Sequence, residues 1–174
     1  YDIEFENVGF KYEEGVNVLS DFNLKLEAGK VYALVGSSGS GKSTIAKLIS
    51  GFYPVSSGQL KIGGRDIKEY TSKVLERNVA FVFQKSKLFK TSIYENVRLA
   101  RPESSHEEVM RALDMAMCSS ILDKFETREE TIIGAKGVHL SGGEMQRIAV
   151  ARAILKDAPI VILDEASAAR DPEN

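Results

Sequence analysis

Gly36-Ser37-Ser38-Gly39-Ser40-Gly41-Lys42-Ser43 decides the reading of this chain. The eight residues fit G-x-x-x-x-G-K-[ST], and their surroundings count as much as the pattern. Before them, Val31-Tyr32-Ala33-Leu34-Val35 is a near-continuous apolar run, the texture of a parallel strand buried on both faces. After them, Lys42–Ser50 sets Ile45, Ala46, Leu48 and Ile49 on one helical face, and Gly51 is placed to end that helix. Strand, glycine turn and helix in this order make a cradle for phosphate. Small residues let successive backbone N–H groups converge on phosphate oxygens, and the helix N-terminus adds positive potential. Lys42 is then the mobile charge for the outer phosphates and the Ser43 hydroxyl a ligand for Mg²⁺, with Thr44 closing the cradle. A dinucleotide fingerprint starting at Gly39 is excluded, because Thr44 stands where it needs glycine.

Two further stretches bear on the same chemistry. Ile160-Val161-Ile162-Leu163 leads into Asp164-Glu165. In an open α/β sheet, ligands gather at the carboxyl ends of the strands, which puts both carboxylates on the phosphate side. Asp164 then helps to hold Mg²⁺, and Glu165 faces the attacking water as general base. On its own the pair reads as an ordinary acidic turn; beside the phosphate loop the metal and base roles take over. In Leu140-Ser141-Gly142-Gly143-Glu144-Met145-Gln146-Arg147, Ser141 and Glu144 fit a capping box that opens a helix. Capping leaves Gly142 and Gly143 unexplained, since glycine in a first turn weakens the helix. Ser141, Gly142 and Gly143 are therefore a second anion site. One chain carries two polyphosphate half-sites, which a head-to-tail pair of domains completes.

Composition bounds the rest. A chain of 174 residues, 43% hydrophobic and 28% charged, supports a core and is not disordered. With 23 basic against 25 acidic residues the net charge is -2, without the basic surplus of a nucleic-acid binder. No apolar run approaches the roughly 18–20 residues of a membrane span. The single Cys118 excludes an internal disulfide and makes a reducing compartment the default. No signal peptide precedes the acidic start Tyr1-Asp2-Ile3-Glu4, and both ends read as cut.

Along the chain, residues 1–27 alternate imperfectly (Ile3, Phe5, Val8, Phe10, then Phe22, Leu24, Leu26), as an antiparallel sheet with one solvated face does. Glu13-Glu14-Gly15 marks the turn between the two runs, and Gly58, Gly63 and Gly64 frame a short hairpin. Val79–Phe83 and Ile160–Leu163 read as further buried parallel strands. From residue 85 to about 130 helical periodicity dominates. Ser104 with Glu107, or Ser105 with Glu108, offers two registers of capping box for a helix whose Val109, Met110, Leu113 and Met117 fill the core. The expected fold is α/β, a parallel-sheet core with an antiparallel β flank and a helical insertion.

Over nearly its whole length the sequence resembles the nucleotide-binding domain of ATP-binding cassette (ABC) proteins, a P-loop NTPase fold. Gly36–Ser43 is similar to Walker A, Leu140–Arg147 to the ABC signature, and Ile160–Glu165 to Walker B with its glutamate. The resemblance implies ATP and Mg²⁺ as cofactors, with Lys42 and Glu165 catalytic and Ser43 and Asp164 at the metal. It further implies that Gln84 touches the metal and the attacking water, and that Tyr12 stacks on adenine. Residues 1–84 and 156–174 would form the core with its β flank and residues 85–155 the helical subdomain carrying the signature, the C-terminal part of the domain being absent. Leu88-Phe89, Ser92–Val97 and Thr131–Gly137 resemble exporter patterns, the last of them a loop that meets coupling helices of a membrane domain. The expected protein powers export from the cytoplasmic face of a membrane, paired with a second such domain, identical or different, and with no nucleic-acid partner. A soluble ABC ATPase acting on nucleic acid or ribosomes, and a non-hydrolysing regulatory module, are the alternatives.

Several positions depart from the family pattern. Ala135 replaces an acidic residue, Ala168 a hydroxyl and Arg170 an apolar residue in the stretch Ala168-Ala169-Arg170-Asp171. The switch histidine expected some thirty residues further on is missing. His106 and His139 lie too early in the chain to replace it.

Overall fold

The imperfect alternation near the N-terminus has a structural cause. In the computed structural model, which describes residues 1–13, 15–134 and 136–164, strand β1 (Ile3–Lys11) buries Ile3 and Phe5, skips a step, and buries Val8 and Phe10. Asn7 takes up the extra residue at φ 49°, and the register against β2 (Asn17–Leu26) shifts between Phe5 and Val8. A bulge here restores the period of two, so all four apolar side chains reach one face. The bulge is held by the Asn7 N–H donating to Asn23 Oδ1 at 2.9 Å and the Asn7 amide donating to Asp21 Oδ1 at 3.0 Å. Opposite it, a Cβ at Gly58 would lie 2.2 Å from the Asn7 carbonyl oxygen, so only glycine fits. The sheet runs β2-β1-β3-β4 and is antiparallel throughout, with β3 at Ser57–Ile62 and β4 at Arg65–Asp66. Gly63 and Gly64, at φ 59° and 79°, make the two-residue hairpin loop that the sequence predicts.

Helix α1 (Lys42–Ile49) buries the expected face of Ile45, Ala46, Leu48 and Ile49. Gly51, at φ 73°, ends it as predicted, its N–H donating to the Leu48 carbonyl at 3.0 Å. Helix α2 (Ser72–Asn78) is capped by Thr71 and buries Leu75. Contacts divide the chain into two compact units, Tyr1–Val79 and the part from Ala80 onward. The first unit corrects one expectation. Val31–Val35 belongs to no strand; Val31 is fully exposed and Val35 92% exposed. A strand needs a ladder partner and a covering layer, and the described residues of this unit supply the stretch with neither.

Strand β5 (Val79–Val82) pairs with β6 (Ile160–Leu163) in a separate two-stranded parallel sheet. β5 buries Val79, Ala80 and Val82 as expected, but it stops one residue short of the predicted Val79–Phe83, and Phe83 is exposed. β6 departs from the fully buried strand predicted: Ile160 is buried, whereas Val161 and Leu163 are exposed, because among the described residues only β5 flanks it.

The helical part comprises α3 (Ile93–Arg98), α4 (His106–Met115), α5 (Ser119–Leu122) and α6 (Gly142–Lys156). They close on a core that includes Ile93, Val109, Leu113, Ile121, Ile148 and Leu155. Of the two capping registers the structure uses Ser105 with Glu108. Met110 packs against the core, but Met117 does not: α4 has ended, Met117 turns to φ 58° and is exposed, and Cys118 takes the fully buried place. Burial pushes the Cys118 thiol up to about 11, which keeps it protonated and unreactive at neutral pH. No helix among the described residues is long and apolar enough to cross a membrane.

Candidate functional site

The phosphate cradle in the first unit is shaped by glycines that cannot be replaced without cost. Gly39 and Gly41 hold φ 80° and 93°, the left-handed region that favours glycine. A Cβ at Gly41 would also press on Leu19 of β2 at 3.2 Å, so the start of α1 is seated on the sheet. At Gly36 a Cβ would stand 2.8 Å from Ser40 Oγ and 3.9 Å from the Lys42 ammonium, filling the loop's mouth. Ser37, Ser38, Gly39, Ser40 and Ser43 are exposed. The Lys42 Nζ donates to the Gly36 carbonyl, to the Ser37 carbonyl at 2.7 Å and to Ser40 Oγ at 3.2 Å. These are neutral acceptors; a phosphate offers charged ones and forms stronger bonds to the same ammonium. The N-terminus of α1 has Gly41 as its cap, without a side-chain hydrogen bond and without an acidic residue in its first turn. Its positive end is therefore left for an anion, as the motif requires.

Thr44 behaves differently from its neighbours. It is buried, and its hydroxyl is hydrogen-bonded to the Tyr12 hydroxyl at 3.1 Å. Tyr12 is in turn gripped edge-on by Phe10 and Tyr53, with ring centroids 4.8 and 5.3 Å away. The residue predicted to stack on adenine is thus tied to the helix that follows the cradle. Tyr53 is an addition that the sequence motifs did not single out. It lies just past the end of α1, in a segment without periodicity.

The second unit holds the remaining described candidates. Gln84 is exposed just after β5, and Ser86 Oγ donates to the Phe83 carbonyl at 2.9 Å, closing the turn around it. Asp164 follows β6, and its N–H donates to the Val82 carbonyl at 2.9 Å. Ser141 caps α6 with the full capping box, accepting from the Glu144 N–H at 3.2 Å while its own N–H donates to Glu144 Oε1 at 3.2 Å. Gly142 and Gly143 need no unusual φ, and a Cβ on either would meet nothing within 4 Å. Among the described residues, neither sterics nor backbone conformation calls for glycine there.

Glu144 is the one carboxylate in the first turn of α6. Lys124 donates to its Oε2 at 2.7 Å and the Ser141 N–H to its other oxygen, and together they hold its pKa down to about 2. Lys124 was not found from sequence, being 20 residues away without a spacing rule to link them. Arg152 was also missed, although the sequence carries a signal for it. It stands four residues after Ile148, where the period of α6 calls for an apolar side chain.

The two segments that resemble exporter patterns are joined by main-chain bonds. The Ile133 N–H donates to the Thr91 carbonyl at 2.9 Å and the Ile93 N–H to the Thr131 carbonyl at 3.0 Å. Phe89 and Ile132, one from each segment, are both exposed. Ala135, Glu165 and Ala168-Ala169-Arg170-Asp171 lie outside the described residues.

Comparison with known proteins agrees with the geometry of the cradle. The sequence pattern described as "ABC transporter" matches residues 19–168. The chain is 47% identical, over 99% of its length, to the ATP-dependent lipid A-core flippase of Escherichia coli strain K12, and equally to that of Shigella flexneri. It spans 30% of the length of these relatives.

Proposed function

Because this chain belongs to the ABC transporter family, we propose that it binds and hydrolyses ATP to drive export across a membrane. The cradle carries this reading: left-handed glycines, a helix start without a side-chain cap or an acidic residue, and the Lys42 ammonium at the loop's mouth. Gly36, Ser37, Ser38, Gly39, Ser40 and Gly41 wrap the phosphates with main-chain N–H groups, and Lys42 pairs with the outer phosphates. Thr44 supports the adenine contact from behind by holding Tyr12 at 3.1 Å. The oxygens of Ser43, Gln84 and Asp164 suit a hard cation, and Mg²⁺ bound by them would neutralise charge on the phosphates. Gln84 orients the attacking water and Glu165 takes its proton.

Ser141, Gly142 and Gly143 serve the nucleotide of a second such domain, identical or different. The bare glycine pair supports this: its open space lets phosphate approach the start of α6, and no described residue fills it. Two domains then close head to tail on two ATP molecules, and hydrolysis reopens them. The exposed Phe89 and Ile132 suit contact with coupling helices of a membrane domain, which supports a working position at the cytoplasmic face. The lipid A-core flippase relatives point to an amphipathic lipid as cargo.

The test is the Lys42→Met variant. Nucleotide binding and turnover should fall at least a hundredfold while the unfolding midpoint stays within a few degrees, since among the described residues the ammonium bonds to an exposed loop. Undiminished turnover would remove the cradle from the mechanism.

A further inference from the structure

We propose that Arg152 is a positioning residue for hydrolysis: it anchors the segment that follows Gln84 to the helix that Ser141 opens. The inference rests on the roles proposed above for Gln84 and for ATP.

Arg152 is half-buried, and no carboxylate pairs with it among the described residues. Burial pushes its pKa down, so holding the charge there has a cost that only specific hydrogen bonds can offset. Those bonds all run to one place. Nε donates to the Asn96 carbonyl at 2.9 Å, Nη2 to Asn96 Oδ1 at 3.1 Å, and Nη1 reaches the Lys87 carbonyl at 3.5 Å. Asn96 is fully buried and clamps Phe89 from both sides of its main chain: Oδ1 accepts from the Phe89 N–H at 2.8 Å, and Nδ2 donates to the Phe89 carbonyl at 3.0 Å. The guanidinium also lies 5.6 Å from the centroid of the Phe89 ring.

The segment from Phe83 to Phe89 is therefore fixed at both ends. Ser86 ties back to Phe83 at the near end, and the Arg152–Asn96 fork holds the far end. Gln84 sits exposed between these anchors. The far anchor belongs to α6, so the position of that helix sets the position of the Gln84 segment. Packing alone asks only for an apolar side chain at position 152. The planar fork of arginine, with donors aimed at three oxygens of two residues, is what anchoring asks for, and lysine cannot reproduce it.

The experiment measures ATP turnover in the full-length protein for Arg152→Lys, Gln84→Ala, the double variant and Ser86→Gly. Arg152→Lys keeps charge and stem but loses the fork; kcat should fall about tenfold with KM for ATP unchanged within about twofold. In the Gln84→Ala background Arg152→Lys should cost nothing further, because the two act as one unit. A purely structural role would instead multiply the two losses, and that result overturns the proposal. Ser86→Gly loosens the same segment from a solvent-accessible turn, so it tests the link even if Arg152→Lys does not fold. Its kcat should fall with that of Arg152→Lys, and an unchanged kcat overturns the proposal. Gln84→Ala turning over like wild type would remove the role of Gln84, and the Arg152 proposal with it. An impaired Gln84→Ala beside a normal Arg152→Lys overturns the Arg152 proposal alone.

Discussion

Glu144 shows how a single charge can be built into a helix start that we propose to bind an anion. A carboxylate in that turn repels phosphate, and the Lys124 ammonium at 2.7 Å offsets it. The hydrogen bond from Lys124, then that from the Ser141 N–H, lowers the Glu144 pKa from 4.5 to about 2. A pKa lower in the folded than in the unfolded state means that ionised Glu144 favours folding above about pH 4.5 and loses that contribution as pH falls toward 2. Urea unfolding midpoints of wild type should therefore fall more steeply across this window than those of Glu144→Gln, and the two curves should converge at its acid end. Gln at this position keeps the capping box, so the comparison isolates the charge. Parallel curves would show that the Glu144 charge contributes nothing to stability. At this scale the sequence was half legible. Ser141 and Glu144 announce themselves by a spacing of three, whereas Lys124 meets Glu144 only through the folding of the helical unit.

Among the elements, α6 sets stability against function. Gly142 and Gly143 occupy its first turn with helical geometry and open space around each Cβ position. Gly143→Ala should then raise unfolding stability by about 0.5–1 kcal/mol. It should also weaken ATP-driven association, because the methyl group covers the approach to the backbone. Sedimentation with ATP, alongside thermal unfolding, checks both halves; a variant that is stabilised and associates normally would leave the glycine pair without a purpose. Elements with local signals were legible: the Gly63-Gly64 hairpin, the α1 face ended by Gly51, and the Ser105–Glu108 cap. The Asn7 bulge was visible only as a fault in the alternation, since its partners Asp21 and Asn23 come from the next strand. Val31–Val35 misled for a related reason. Apolar continuity states what a stretch would accept as neighbours, and the neighbours decide whether it becomes a strand. Met117 misled because helical spacing carries no mark of where α4 stops.

For the molecule as a whole, the motifs, the cradle geometry and the family match converge on an ABC transporter ATPase domain. The cradle lies in the unit Tyr1–Val79, and Ser141, Gln84 and Asp164 in the unit from Ala80 onward. Composition alone could not identify a function. A net charge of -2 and the absence of a long apolar run describe a domain, not its task. The task was legible in three short motifs because phosphate chemistry demands particular residue types at fixed spacing. Glu165→Gln tests the central claim most directly. With ATP and Mg²⁺ this variant should bind nucleotide with wild-type affinity, lose at least a hundredfold in turnover and remain as a closed dimer on size-exclusion chromatography. Turnover equal to wild type, with a monomer throughout, would contradict it.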